Sequence, residues 1–155
     1  MTESYVNKQL TNACQEIYQA LHVDFTGIAC YEGTNKEFRW KYVAGNRSSK
    51  WKRMTIRFGK GMAGKVYQTG SRVVYDSSID EAIDFPIVLA EKLERAIAFP
   101  IFLKQDVWGV LLLGFRKPYD LSKLNQEAIV DYIKKLELIV INHSEHGGEQ
   151  HGKKV

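Results

Sequence analysis

Three short stretches carry residues whose types and spacing suit the capture of a small anion. Gly59-Lys60-Gly61 interrupts an extended run and leads straight into Met62 to Gln68, which reads as a short helix. The first amides of a helix have no internal acceptor and carry a partial positive charge, so a helix start at Met62 and Ala63 presents N–H donors. Asp84-Phe85-Pro86 opens a second helix. Proline in the first turn costs no hydrogen bond and leaves the Ile87 and Val88 amides as donors. Trp40, in an alternating strand, adds an indole N–H, which donates and cannot accept. Each feature alone also has a structural use. Helix starts meet water or a cap, a strand tryptophan packs in a core, and Phe85-Pro86-Ile87 serves as helix entry. Together they suit an anion that only accepts hydrogen bonds.

Other chemistry is sparse. Cys14 and Cys30 make neither a disulfide framework nor a zinc site. Cys14 falls on the apolar stripe of a helix and Cys30 on a strand, so both read as small buried hydrophobes. His143 and His146 share a helical face, and His151 follows them, but Gly147-Gly148 marks a frayed, solvated end. No Ser-His-Asp grouping, Walker-type loop or metal-ligand cluster occurs in the sequence. The expectation is a non-enzyme with no catalytic residue, no metal and no cofactor.

The elements that would position these groups follow from periodicity. Ser4 to His22 carries Leu10, Ala13, Cys14, Ile17, Tyr18 and Leu21 at helical spacing. Asp24 to Tyr31 and Glu37 to Ala44 alternate as strands around the turn Glu32-Gly33-Thr34-Asn35, with Phe38, Trp40, Tyr42 and Ala44 expected on one face. Gly45 to Arg53 reads as a basic loop and Met54 to Phe58 as a short strand. Thr69-Gly70 stops the helix after Gln68, and Arg72 to Tyr75 is another strand. The helix opened by Pro86 is expected to run to about Glu94. Ala96 to Phe102 and Val107 to Phe115 form a hairpin. Ser122 is expected to cap a last helix bearing Leu124, Ala128, Ile129, Tyr132, Ile133 and Leu136. Hairpins at both ends of the chain predict an α+β fold. Its central antiparallel sheet has about six strands, the terminal helices cover one face, and short helices and loops enclose a pocket on the other.

The chain has 155 residues, 45% hydrophobic and 26% charged, which fits one globular domain. A domain this size buries roughly 70% of its unfolded surface. Residues 1–143 are expected to form that domain and 144–155 a flexible polar tail. No apolar run approaches the ~20 residues of a membrane helix, and no export signal is visible, so a cytoplasmic protein without membrane contact is expected. The net charge of +4 is unevenly placed. Nine basic residues between Arg39 and Lys65 meet no acidic one, whereas Asp76 to Glu94 carries six acidic residues against one basic. Nucleic-acid binding is set aside because no groove-reading helix or RNA-binding motif accompanies the basic run. The run can instead concentrate anions or dock an acidic partner, and two opposed patches permit a homodimer.

Phe58 to Gly70 resembles the GAF-domain signature, a glycine-bracketed strand-to-helix turn. Arg95 to Ile101 followed by Val107 to Leu112 resembles the GAF hairpin. The resemblance covers about Leu10 to Asn142. A narrower one, carried by Arg39 to Asn46, Gly59 to Gly64, Asp84 to Val88 and Gly109 to Arg116, is to the NreA-type nitrate receptors. That resemblance implies a nitrate site formed by Trp40, Met62, Ala63, Phe85, Pro86 and Ile87. Phe85 departs from the tyrosine of that pattern and lacks its hydroxyl. It also implies a stand-alone sensor of nitrate respiration acting in two-component signalling. Its partner would be a cytoplasmic oxygen-sensing histidine kinase of the NreB type, restrained by the nitrate-free receptor and released by nitrate. With no room for an output module in the sequence, such a sensor would act by contact. The alternatives are a GAF domain for another small ligand and a free methionine-(R)-sulfoxide reductase. Bilin and cyclic-nucleotide binding are set aside, for want of a chromophore cysteine and of a charged tetrad.

Overall fold

The computed structural model describes residues 2–32 and 37–152. Helix α1 (Thr2–Ala20) leads into β1 (Phe25–Glu32) and β2 (Glu37–Ala44). Helix α2 (Gly61–Thr69), strand β3 (Val73–Asp76) and helix α3 (Pro86–Glu91) follow. The hairpin β4 (Arg95–Leu103) and β5 (Asp106–Phe115) precedes helix α4 (Gln126–Gly152). The strands make one sheet in the order β2-β1-β5-β4-β3, and every neighbouring pair is antiparallel. The turn expected at Glu32 to Asn35 falls largely on residues outside those described.

The sheet separates two apolar clusters. On one face α1 and α4 bury Leu10, Cys14, Ile17, Ile129 and Leu136 against Ile28, Ile97 and Leu111. On the other, α2 and α3 bury Met62, Val66, Ile87 and Val88 against Phe25, Trp40, Ala96 and Leu112. β5 lies at the sheet centre and is covered on both faces, so Val110 to Leu113 are all fully buried. That double burial is why its sequence is continuously apolar instead of alternating.

Several expectations are corrected. The sheet has five strands, not six. Met54 to Phe58 makes only one bridge, in which the Ile56 amide donates to the Phe38 carbonyl at 2.9 Å. A 3-10 turn at Lys50–Arg53 and the glycine turn at Gly59 bracket the segment too closely for a ladder. Ser122 does not cap α4. Asp120 accepts from the Ser122 amide to close a separate 3-10 turn at Leu121–Lys123, and Asn125 Oδ1 accepts from the Ala128 amide at the start of α4. Helix α3 stops at Glu91, short of Glu94, where Lys92 takes a left-handed backbone (φ 55°). Helix α4 runs from Gln126 to Gly152.

The most consequential difference lies in β2. Ala29 pairs with Trp40 but Ile28 pairs with Tyr42, so Lys41 is an extra residue in the strand. Such a bulge reverses the alternation beyond it. Phe38 and Trp40 therefore face α2 and α3, while Tyr42 and Ala44 face α1. The four residues expected on one face are split between two.

Candidate functional site

A cavity of about 200 Å³ opens between the sheet and the starts of α2 and α3. Its inner wall is made by Trp40, Met62, Ala63 and Ile87, each at most 4% exposed. Met54 and Ile56 form a half-buried side wall, and Arg57, Lys60, Ile83 and Asp84 stand exposed at the rim.

The bulge at Lys41 aims Trp40 inward, and Gly27 on the neighbouring strand makes room for it. A β-carbon at Gly27 would lie 3.1 Å from two atoms of the indole ring. Among the described residues, no protein group accepts a hydrogen bond from the indole N–H.

The two helix starts are in contact with each other. Gly61, the first residue of α2, has φ +68°, a conformation costly for any residue with a side chain. A β-carbon there would also stand 3.3 Å from Pro86 Cδ, the first residue of α3. Neither helix has a side-chain cap: Lys60 and Phe85 occupy the cap positions without capping hydrogen bonds. The leading amides of both helices are thus left for water or a ligand, and their partial charges add. The apolar inner wall strengthens any hydrogen bond made there.

Helix α3 is held at its other end by a buried ion pair. Glu91 is 1% exposed and accepts from Arg116 Nη2 at 2.6 Å and from the Arg47 amide at 2.8 Å. Arg116 also donates to the carbonyls of Glu91, Asp24 and Gly45. The knot ties α3 to the turn before β1, the exit of β2 and the end of β5.

Of the six residues singled out from sequence, Trp40, Met62, Ala63, Pro86 and Ile87 line this cavity. Phe85 does not. It is buried behind the wall, edge-on to Tyr75 at 5.2 Å, with Lys65 Nζ 4.8 Å from its ring centre. Its backbone serves α3, accepting from the Leu89 amide at 3.0 Å. Sequence reasoning missed Met54, Thr55, Ile56 and Arg57, which it had assigned to a sheet strand. Their apolar–polar alternation was visible, but not the surface that it lines.

Both cysteines lie in the cluster on the opposite face of the sheet. The Cys14 thiol points at the Thr26 carbonyl at 3.8 Å, and burial pushes its pKa up to about 12. It is therefore not a nucleophile near neutral pH. Among the described residues, no three His, Cys, Asp or Glu side chains are grouped to hold a metal ion, and no helix is long and apolar enough to cross a membrane.

The GAF-domain family model matches residues 6–131. The chain belongs to the GAF-domain family. It is 33% identical to an NreA protein from Staphylococcus aureus mutated in its nitrate-binding site, covering 80% of this chain and 97% of that one, with a TM-score of 0.72. It is 34% identical to the hypothetical protein SA1058 from S. aureus, over 73% of this chain and 97% of the other, with a TM-score of 0.68. A free methionine-R-sulfoxide reductase from Neisseria meningitidis shares 20% identity and a TM-score of 0.71 over 94% of this chain and 87% of its own, a likeness of fold alone. A comparison with curated protein sequences returns no significant match. The GAF domain here thus has the Trp40 cavity on the α2–α3 side of the sheet and both cysteines in the cluster on the other.

Proposed function

We propose that this GAF domain is a nitrate sensor that binds the ion in the cavity between Trp40 and the starts of α2 and α3. The observation that carries the reading is the convergence of two uncapped helix starts and one unclaimed indole N–H on a single apolar wall. Nitrate is planar, singly charged and accepts hydrogen bonds only, so donors from several directions satisfy it. Sulfate and phosphate bring a second charge that is costlier to bury. Similarity to the S. aureus NreA protein supports the same ligand. Met62, Ala63 and Ile87 donate through their amides, and Pro86 sets the entry of α3. Phe85 supports that entry without touching the ion.

The sensor then acts by contact in the cytoplasm with an oxygen-sensing histidine kinase of the NreB type, whose phosphorylation it restrains until nitrate binds. Linkage requires nitrate and kinase to change each other's affinity by the same factor. The domain is not an enzyme in this reading. A methionine sulfoxide reductase would need a reactive thiol at its ligand, and neither cysteine lines this cavity.

The test is a thermal-shift titration with nitrate, beside chloride, nitrite, sulfate and methionine sulfoxide. A ligand of the folded state raises stability with the logarithm of its concentration above Kd. A saturable shift with nitrate and none with sulfate is expected. No shift with nitrate removes the function and leaves the fold. Nitrate-dependent change in autophosphorylation of the purified kinase then tests the partner.

A further inference from the structure

The α1–α4 face of the sheet has a cavity of its own, about 270 Å³, at the end where α1 and α4 meet the two hairpins. Val6, Leu10, Leu103, Trp108 and Val140 give it apolar walls. Asn7, Tyr31 and Ser144 add polar groups at its edge. Lys41 and His143 line it, and Tyr42 donates its hydroxyl proton to Asn7 Oδ1 at 2.5 Å. Among the described residues, no carboxylate pairs with Lys41 or His143. The bulge is what brings Lys41 here. As the extra residue in β2, it shares the helix-facing side with Tyr42 while Trp40 turns to the other cavity. Bulges commonly re-aim a side chain beside a site.

A pocket with an apolar wall, the Trp108 ring and a lysine that meets no carboxylate among the described residues fits a small amphipathic anion. We propose that this cavity is a second binding site, for a small carboxylate with an aromatic or short aliphatic body. The carboxylate meets Lys41 and His143, and the body lies against Trp108 and the α1 leucine Leu10. The site sits on the opposite face of the sheet from the anion cavity and stands independently of the nitrate reading.

The experiment is a backbone amide NMR titration of the full chain with indole-3-acetate, benzoate and octanoate. Benzyl alcohol serves as the uncharged control. Saturable shifts at Cys30, Lys41, Trp108 and His143 are expected with at least one carboxylate and not with the alcohol. They should persist in the presence of saturating nitrate and in Trp40→Phe, and weaken at least fivefold in Lys41→Met, which keeps the aliphatic stem and the fold. Bound carboxylate should also slow alkylation of Cys30, which lines the cavity. No saturable shift with any of the three carboxylates overturns the proposal. So does binding that nitrate displaces or that Trp40→Phe abolishes, since the probes would then occupy the other cavity. Binding that survives Lys41→Met undiminished removes the ionic basis and overturns it equally.

Discussion

Trp40 illustrates how one residue's chemistry depends on what its neighbours leave undone. Its ring is buried over Gly27, yet its N–H finds no protein acceptor among the described residues. Trp40 lines the cavity, so a ligand bound there is placed to accept from it. In Trp40→Phe the ring stays and the donor goes. Nitrate affinity should weaken by about 1–3 kcal/mol, roughly five- to 150-fold, if the bond is made in the buried cavity. Isothermal titration of the variant measures this, and an unchanged Kd would remove the indole from the site. Phe85 teaches the opposite lesson. The resemblance to the nitrate receptors implied a contact with the ligand there, but its side chain packs in the core beside Tyr75.

At the scale of elements, the site is a meeting of two helix starts, and its precision rests on how each is anchored. Gly61 lets α2 begin against Pro86. Alanine there meets both an unfavourable φ and the proline ring. Gly61→Ala should lose about 1–2 kcal/mol of stability, the usual cost of a left-handed residue with a side chain. It should also bind nitrate several-fold more weakly, because α3 must move aside. Urea unfolding and nitrate titration on the same preparation separate the two effects. The far end of α3 depends on the Glu91–Arg116 pair. Arg116→Met would leave Glu91 buried with its charge uncompensated, and breaking such a pair costs about 3–5 kcal/mol. The urea midpoint should fall accordingly. A shift below 1 kcal/mol would mean the knot is not what holds α3.

Over the whole molecule, the sheet insulates one chemistry from another. The Trp40 cavity is on one face and the thiols are on the other. Burial holds the Cys14 thiol protonated up to about pH 12, against an ordinary value near 9, and raises the Tyr67 hydroxyl in the same direction. In the unfolded chain both groups lose their protons sooner. Stability from keeping them neutral is therefore complete below about pH 9 and declines as pH rises through about 9 to 12. Cys14→Ala should flatten this decline without abolishing it, since Tyr67 remains. Urea midpoints at about pH 8 and about pH 10.5 compare the slopes, and identical slopes would remove Cys14 from the account. Nitrate response should be the same in both proteins near neutral pH.

Local pattern was enough for much of this molecule. Helical spacing in α1, the apolar hairpin of β4 and β5, the glycine turn before α2 and the proline start of α3 are each written within a few consecutive residues. The fold class follows from them, and five of the six proposed site residues line the cavity that the elements enclose. What local pattern could not determine depends on contacts between distant segments. The bulge at Lys41 arises only when β2 pairs with β1, and it alone decides that Trp40 and Tyr42 part company. Met54 to Arg57 carry a strand's alternation, but two flanking turns leave them one bridge, and they become cavity wall instead. The Glu91–Arg116 knot joins residues far apart in the chain. Periodicity reports which side of an element is apolar. Which partner covers that side, and what space remains between them, is settled when the elements pack.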